Sequence, residues 1–451
     1  MPDTDKLVFI SYRRSTSSAH ARLLFDRLRA AGFDAFVDMD TTDAGPFDRV
    51  TLSQIGARPH VVLLATANAF GRCPNKRDWL RLELEEAVRL ERNVIVLADA
   101  DMDFHSETSY IPGHLRETFH SYKGLPFLYA YFQAAIDQLI NHLSLPLTRQ
   151  IDLIAPTPDE QRTAQQRMEQ IAASPAPTPE QLLAEQLYSR AHINFAGDTS
   201  TEDLIADYTE AIRLTPQFAA AYYQRARLRA HHLGDDQGAI ADYTEAIRLN
   251  PADPDAYYDR GRAYNSIGET DAAIADFNAA IRCVPNDPDI YYELDDLYAA
   301  NGDLESRISL YTQWIEGDPE SAKNAYNGRG NLYLTTGDFD AAVADFNEAI
   351  RLNPQAAPAY SNRGEAYFAK GLVEDALKDF HDAHQLDPNY EYPIAGLAIT
   401  YHALGQVADA KSYWHKLSLL KPWFTDVDVV SKELHWAAPL VAEARKLVAK
   451  L

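Results

Sequence analysis

The chain has little cysteine: Cys73 and Cys283 are the only two among 451 residues. Two thiols so far apart supply neither a disulfide framework nor a zinc ligand set, and they suit a reducing compartment. An excess of basic charge is also missing, since 42 Lys and Arg stand against 66 Asp and Glu, for a formal charge of −24. The deficit is uneven. Residues 1–145 hold 16 basic and 19 acidic side chains, a net of −3, which leaves 26 and 47, a net of −21, for residues 146–451. A surface that acidic repels phosphate backbones and anionic lipid, so no nucleic acid and no membrane is expected as a partner. No apolar run is long enough to span a bilayer. The opening MPDTDKLVFISYRR places acids ahead of its short apolar stretch and has no cleavage signal, so a soluble, cytoplasmic protein is expected. The phosphate-cradling loop G-x-x-x-x-G-K-S/T is absent and no Ser/His/Asp arrangement stands out, which disfavours NTPase and serine-hydrolase chemistry.

What the chain does have is rhythm. Pro216, Pro251, Pro285, Pro319, Pro354, Pro388 and Pro422 recur every 34 or 35 residues, with Gly234, Gly268, Gly302, Gly337, Gly371 and Gly405 between them. A fixed period of that length, with one turn inside each unit and one at its end, predicts helical-hairpin repeats. Small and aromatic residues keep step: Tyr257, Gly261, Tyr264, Ala273, Phe277 and Ala280 in one unit, and Tyr326, Gly330, Tyr333, Ala342, Phe346 and Ala349 in another. Small residues let paired helices approach and aromatics fill the space between pairs. The unit ending at Pro319 breaks step, with Asp295, Arg307 and Trp314 at the small positions. It is expected either to open the array or to carry a contact.

Nothing before about residue 180 shares this period. Leu7–Tyr12, Asp34–Val37, His60–Thr66 and Asn93–Ala98 are short apolar bursts, and the near-continuous ones predict parallel strands covered on both faces. Helices are expected over Ala19–Ala31 and Asp78–Leu90. Such open α/β sheets bind ligands beyond the carboxyl ends of their strands. Here those ends are Ser11-Tyr12-Arg13-Arg14 and Asp38–Phe47. Within the second helix, Trp79 and Glu83 stand four apart on one face, beside the stripe Leu80, Leu84 and Ala87 that would pack on the sheet. A carboxylate and an indole at one pocket suit cleavage of a cationic glycoside: negative charge steadies a developing oxocarbenium ion while a rigid ring holds the base. The plainer alternative is that Glu83 is one of several surface acids in ELEEAVRLE and Trp79 an anchor. Arg13 and Arg14 are candidates for binding phosphate, or else solvated loop cations. The clusters Asp38-Met39-Asp40 and Asp99-Ala100-Asp101-Met102-Asp103 lack the glycine and glutamate of a calcium loop, and no metal is expected.

Three segments together, Phe9-Ile10-Ser11-Tyr12-Arg13-Arg14, Phe36-Val37-Asp38 leading to Gly45 and Phe47, and Asp78-Trp79-Leu80-Arg81-Leu82-Glu83, resemble a bacterial TIR domain over about residues 5–143. The later units resemble tetratricopeptide repeats. The resemblance implies a flavodoxin-like α/β fold followed by an all-α solenoid. In its enzymatic branch it implies cleavage of NAD+ at the nicotinamide–ribose bond, with Glu83 as the catalytic residue. Trp79, Ser11, Tyr12, Arg13, Arg14, Phe36, Asp38, Gly45 and Phe47 would contact the substrate. NAD+ enters as substrate and no cofactor is implied. In TIR domains the Asp38–Phe47 loop contacts a neighbouring copy, so self-association is expected, with a protein or peptide ligand on the repeats and a setting in antiphage defence. A non-enzymatic adaptor that recruits other TIR domains is the alternative. The expected organisation is a TIR domain over 1–145, a Pro-rich linker with a short helix over 146–179, about seven repeats over 180–422 and a capping helix over 423–451.

Overall fold

The structure is a computed structural model. It describes all residues except 1–3, 40–48, 67–68, 71–72, 74–77, 101–107, 114, 117–124, 128–131, 148–150, 196–198, 286, 321, 428–435 and 451. The chain divides into two units, Met1–Cys283 and Val284–Leu451.

In the first unit the apolar bursts become β1 (Leu7–Tyr12), β2 (Asp34–Val37), β3 (His60–Ala65), β4 (Asn93–Asp99) and β5 (Leu125–Phe127). They form one parallel sheet in the order β2-β1-β3-β4-β5. Strand β5 carries Pro126, whose missing N–H is tolerable on an edge strand. Helices α1 (Arg14–Ala30), α2 (Arg49–Gly56), α3 (Trp79–Arg89) and α4 (Phe132–Leu143) accompany the sheet. Leu24, Phe25 and Leu28 of α1 and Ile136 and Leu139 of α4 share one core with Val8, Ile10 and Leu64. Leu80, Leu84 and Ala87 of α3 join Phe9, Phe36 and Leu63 in the other.

The proline-rich segment is built in. Thr157 closes a capping box on α5 (Pro158–Ala173), whose Met168 and Ile171 pack on the first core while Ala164 is buried in the second. Three packed helix pairs follow: α6 (Pro179–Asn194) with α7 (Thr201–Leu214), α8 (Ala219–Leu228) with α9 (Asp236–Leu249), and α10 (Pro254–Ser266) with α11 (Thr270–Cys283). A bidentate bridge joins the two helices within each of the last two pairs, Arg225–Asp242 in one and Arg260–Asp276 in the other.

The second unit repeats this construction, with bridges Arg329–Asp345 and Arg363–Asp379. Close approach explains its glycines within helices: a Cβ on Gly330 would lie 2.7 Å from the Phe346 ring. At the turns inside the repeats, Gly234, Gly268, Gly302, Gly337, Gly371 and Gly405 all take positive φ, the left-handed conformation that ends a helix. In the irregular unit the three substitutions compensate one another. Arg307 forms a bidentate bridge to Asp295 at 2.7 and 3.0 Å, Tyr311 donates to the same carboxylate at 3.0 Å, and Trp314 stacks on Tyr291 at 4.7 Å. Helices Pro288–Ala300 and Leu304–Gly317 pack against each other within this unit, which is the first of the second half of the chain.

The C-terminal helix, Ala438–Val448, packs on helices Ala357–Ala369 and Glu391–Ala403. Glu365 accepts the Ala437 N–H that precedes it at 2.5 Å. Burial pushes this carboxyl up to about 7 from its ordinary 4.5, and the bond from Ala437 pulls the other way. The folded carboxyl therefore holds its proton more tightly than the unfolded one. Its stabilising contribution is complete below about pH 4.5 and is lost as pH rises through about 7. Amide protection of Leu440–Leu447 is expected to be higher at pH 5.5 than at pH 8, and Glu365→Gln to remove the difference. Equal protection factors at both pH values in the native chain would contradict this.

Among the described residues, no helix is long and apolar enough to cross a membrane.

Candidate active site

The strand order reverses between β1 and β3, and ligand sites of such sheets form at that point, beyond the carboxyl ends. Ser11, next to last in β1, is fully buried there and donates from Oγ to Glu83 Oε2 at 2.6 Å. Glu83 lies one turn into α3 and is 4% exposed; Trp79, the first residue of the helix, is 6% exposed. The sequence pattern leaves this pair free to face a pocket, whereas the structure turns it to the buried side, next to Leu80, Leu84 and Ala87. A carboxylate withdrawn from water in this way acts more strongly on nearby positive charge than one in bulk solvent.

The start of α3 is fixed by its neighbours. Asp78 caps it, accepting the Arg81 N–H at 3.1 Å, and also receives the Arg13 guanidinium through Nη1 at 2.5 Å and Nη2 at 3.1 Å. Arg13 Nε donates to the Ala69 carbonyl at 2.9 Å, and the arginine is 2% exposed. It is therefore not a solvated loop cation; a buried ion pair ties the end of β1 to the first turn of α3. Cys73 lies 3.7 Å from Asp78, and burial together with that carboxylate pushes its thiol up, away from the reactive thiolate.

The other candidates separate. Tyr12 donates from its hydroxyl to the Asp38 carbonyl at 2.9 Å, joining the ends of β1 and β2. The Asp38 carboxylate is buried, accepts from Thr51 Oγ1 at 2.9 Å and lies 3.8 Å from Arg167 of α5. Phe36 is in the core, stacked on Phe9 with centroids 5.7 Å apart, under the Arg58 guanidinium. Arg14 opens α1, while Gly45 and Phe47 lie outside the described residues.

Helix α1 starts five residues earlier than its periodicity suggests and contains a break at Ser17, where φ is −138° and ψ is 21°. The helix that resumes there is capped from far along the chain. The Glu185 carboxylate of α6 accepts the Ala19 N–H at 2.8 Å, the His20 N–H at 3.2 Å and His20 Nδ1 at 2.5 Å. A second buried contact runs from Ser189 Oγ to Asp99 Oδ2, at the end of β4, at 2.8 Å. Sequence reasoning missed Glu185, Ser189 and the paired role of Asp78, because each depends on a partner 65 or more residues away. Among the described residues no group of three or more His, Cys, Asp or Glu is placed to hold a metal ion.

Tetratricopeptide-repeat models match residues 205–254, 233–288 and 258–322, and again 330–371 and 357–390. The N-terminal region is similar to the NAD(+) hydrolase tir-1 of Caenorhabditis elegans, 32% identical over 164 residues, which are 36% of this chain and 17% of that protein. It is likewise similar to the NAD(+) hydrolase sarm1 of Drosophila melanogaster, 35% identical over 135 residues, 29% of this chain and 10% of that one. The chain joins a TIR-like domain to tetratricopeptide repeats. It thus spans under a fifth of the length of these curated relatives. Solved structures similar to the repeats include the C-terminal part of a repeat-containing protein from Cytophaga hutchinsonii, at 15% identity, 53% and 94% coverage and a TM-score of 0.42. The MamA protein is another, at 24% identity, 38% and 92% coverage and a TM-score of 0.32.

Proposed function

We propose that this TIR-like domain is an NAD+ nucleosidase whose activity is set through the repeats. The observation that carries the proposal is the buried Glu83 carboxylate, held by Ser11 Oγ at 2.6 Å one turn after Trp79. The similarity to named NAD(+) hydrolases over the same region supports it. Nicotinamide leaves a cationic ring as a neutral molecule, so the bond to ribose breaks without a strong general acid, its electron pair passing to the ring nitrogen. What the site must supply is negative charge beside the resulting oxocarbenium carbon and a surface that holds the base. Glu83 supplies the charge, Ser11 fixes the carboxylate, and Trp79 holds the nicotinamide. Water then adds to the same carbon and loses a proton, giving ADP-ribose; attack by a group of the nucleotide itself gives a cyclic product. No metal takes part.

The repeats act as the regulatory half. Assembly of several chains, or a protein or peptide bound to the repeats, brings the TIR-like domains into their active arrangement. The setting we propose is cytoplasmic antiphage defence, through NAD+ depletion or a nucleotide signal. Incubating the purified chain with NAD+ at low and high protein concentration and separating the products tests the proposal. Turnover per molecule is expected to rise with concentration. A rate per molecule that is independent of concentration and of added partners would remove assembly from the account.

A further inference from the structure

Helix α6 lies across the carboxyl edge of the sheet. Glu185 grips the corner that follows β1, and Ser189 grips Asp99 at the end of β4, with β3 between those two strands. Between this edge and the first repeats lies a cavity of about 470 Å³, within the size range of small-molecule sites. Arg13 and Thr16 line it from the sheet domain, and α6, α8 and α10 line it from the repeats.

The repeats present an ordered face to it. His192, Arg227 and Arg262 stand 35 residues apart and come from three successive helices, as do Tyr188, Tyr223 and Tyr258. At the next two equivalent positions of the sequence, Asp296 and Asn331 replace the cation. In a chain of net charge −24, this basic column is confined to the repeats that face Arg13. Three acids share the lining and have structural partners: Asp259 accepts from the Tyr223 hydroxyl at 2.9 Å and lies 4.0 Å from Arg227 Nε, Asp253 caps α10, and Asp255 stands in the first turn of that helix.

We infer that the first three repeats bind the distal half of the dinucleotide, its phosphates on the His192–Arg227–Arg262 column and its adenine on the half-buried Tyr223 and Tyr258 rings, with the core residue Tyr188 behind them. The repeats are then part of the substrate site in the same chain, as well as its regulator. The inference rests on the NAD+ reading above. Arg13 links the two halves, since it lines the cavity and its guanidinium holds Asp78 at the start of the helix that carries Trp79 and Glu83.

The test uses the full chain with Arg227→Ala and Arg262→Ala, separately and together. Arg227 has a side chain 44% exposed, and an unchanged melting profile confirms that the fold survives its loss. Each substitution is expected to raise KM for NAD+ about tenfold, the loss of one charge-assisted contact, with kcat within about twofold. Nicotinamide riboside keeps the scissile bond but lacks both phosphates and the adenosine, so its kcat/KM is expected to be the same in native and variant chains. An unchanged KM for NAD+, or equal losses on both substrates, overturns the inference while leaving the nucleosidase reading intact. Faster turnover in the variants overturns it too, because the repeats would then only cover the site. If the native chain cleaves neither substrate, the nucleosidase reading fails. The cavity is then judged by calorimetric titration with ADP-ribose: about tenfold weaker binding on Arg227→Ala sustains it, and equal or absent binding overturns it.

Discussion

Glu83→Gln is expected to lower NAD+ cleavage by roughly 10²–10³-fold with little change in KM. Glutamine keeps the shape of the side chain and an oxygen able to accept from Ser11, so the buried packing around α3 survives. What disappears is the negative charge that meets the oxocarbenium ion, an interaction that strengthens as positive charge moves from the nicotinamide ring onto the ribose in the transition state. Initial rates of nicotinamide release from native and variant chains, compared at equal concentration and with matching thermal melts, check this. Turnover within about twofold of native would remove Glu83 from the chemistry.

Asp78→Ala is expected to be the most damaging single change to the scaffold of the proposed site. It strands the Arg13 guanidinium, 2% exposed, without its carboxylate, and it uncaps α3 at the turn that carries Trp79. Breaking a buried pair by removing one partner commonly costs about 3–5 kcal/mol, and losing a cap adds about 1. The loss is expected in the sheet domain, as a large fall in amide protection of β1 and α3, with helices Lys323–Thr336 and Phe339–Leu352 keeping theirs. Asp78→Asn, which keeps an acceptor for the cap, is expected to cost less. Native-like protection of β1 and α3 in Asp78→Ala would show that the ion pair does not hold them.

Much of the fold was legible because it rests on local pattern. Four of the five strands are short, mostly apolar bursts, and the repeats declare themselves through prolines, glycines and aromatics at fixed spacing, which the structure turns into left-handed turns and Gly–Phe contacts. Strand β5 escaped because three residues including a proline carry almost no periodic signal. At the site, the i, i+4 relation of Trp79 and Glu83 is a property of one helix and could be read directly. The partners that give those residues their environment could not. Ser11 meets Glu83 across 72 positions, and Glu185 reaches Ala19 across 166. The column His192, Arg227 and Arg262 is visible as a 35-residue period, but its convergence on Arg13 depends on where α6 crosses the sheet edge. The irregular repeat teaches the same lesson, since Asp295 and Arg307 each look disruptive alone and form a bidentate bridge together.

Release of nicotinamide from NAD+ by the purified full chain, followed by chromatography over a wide range of protein concentration, tests the central claim most directly. Nicotinamide is expected in amounts equal to the NAD+ consumed, with ADP-ribose or its cyclic form as the other product and with release lowered roughly 10²–10³-fold by Glu83→Gln. NAD+ that stays intact at every concentration, or nicotinamide release that persists undiminished in Glu83→Gln, would contradict the account.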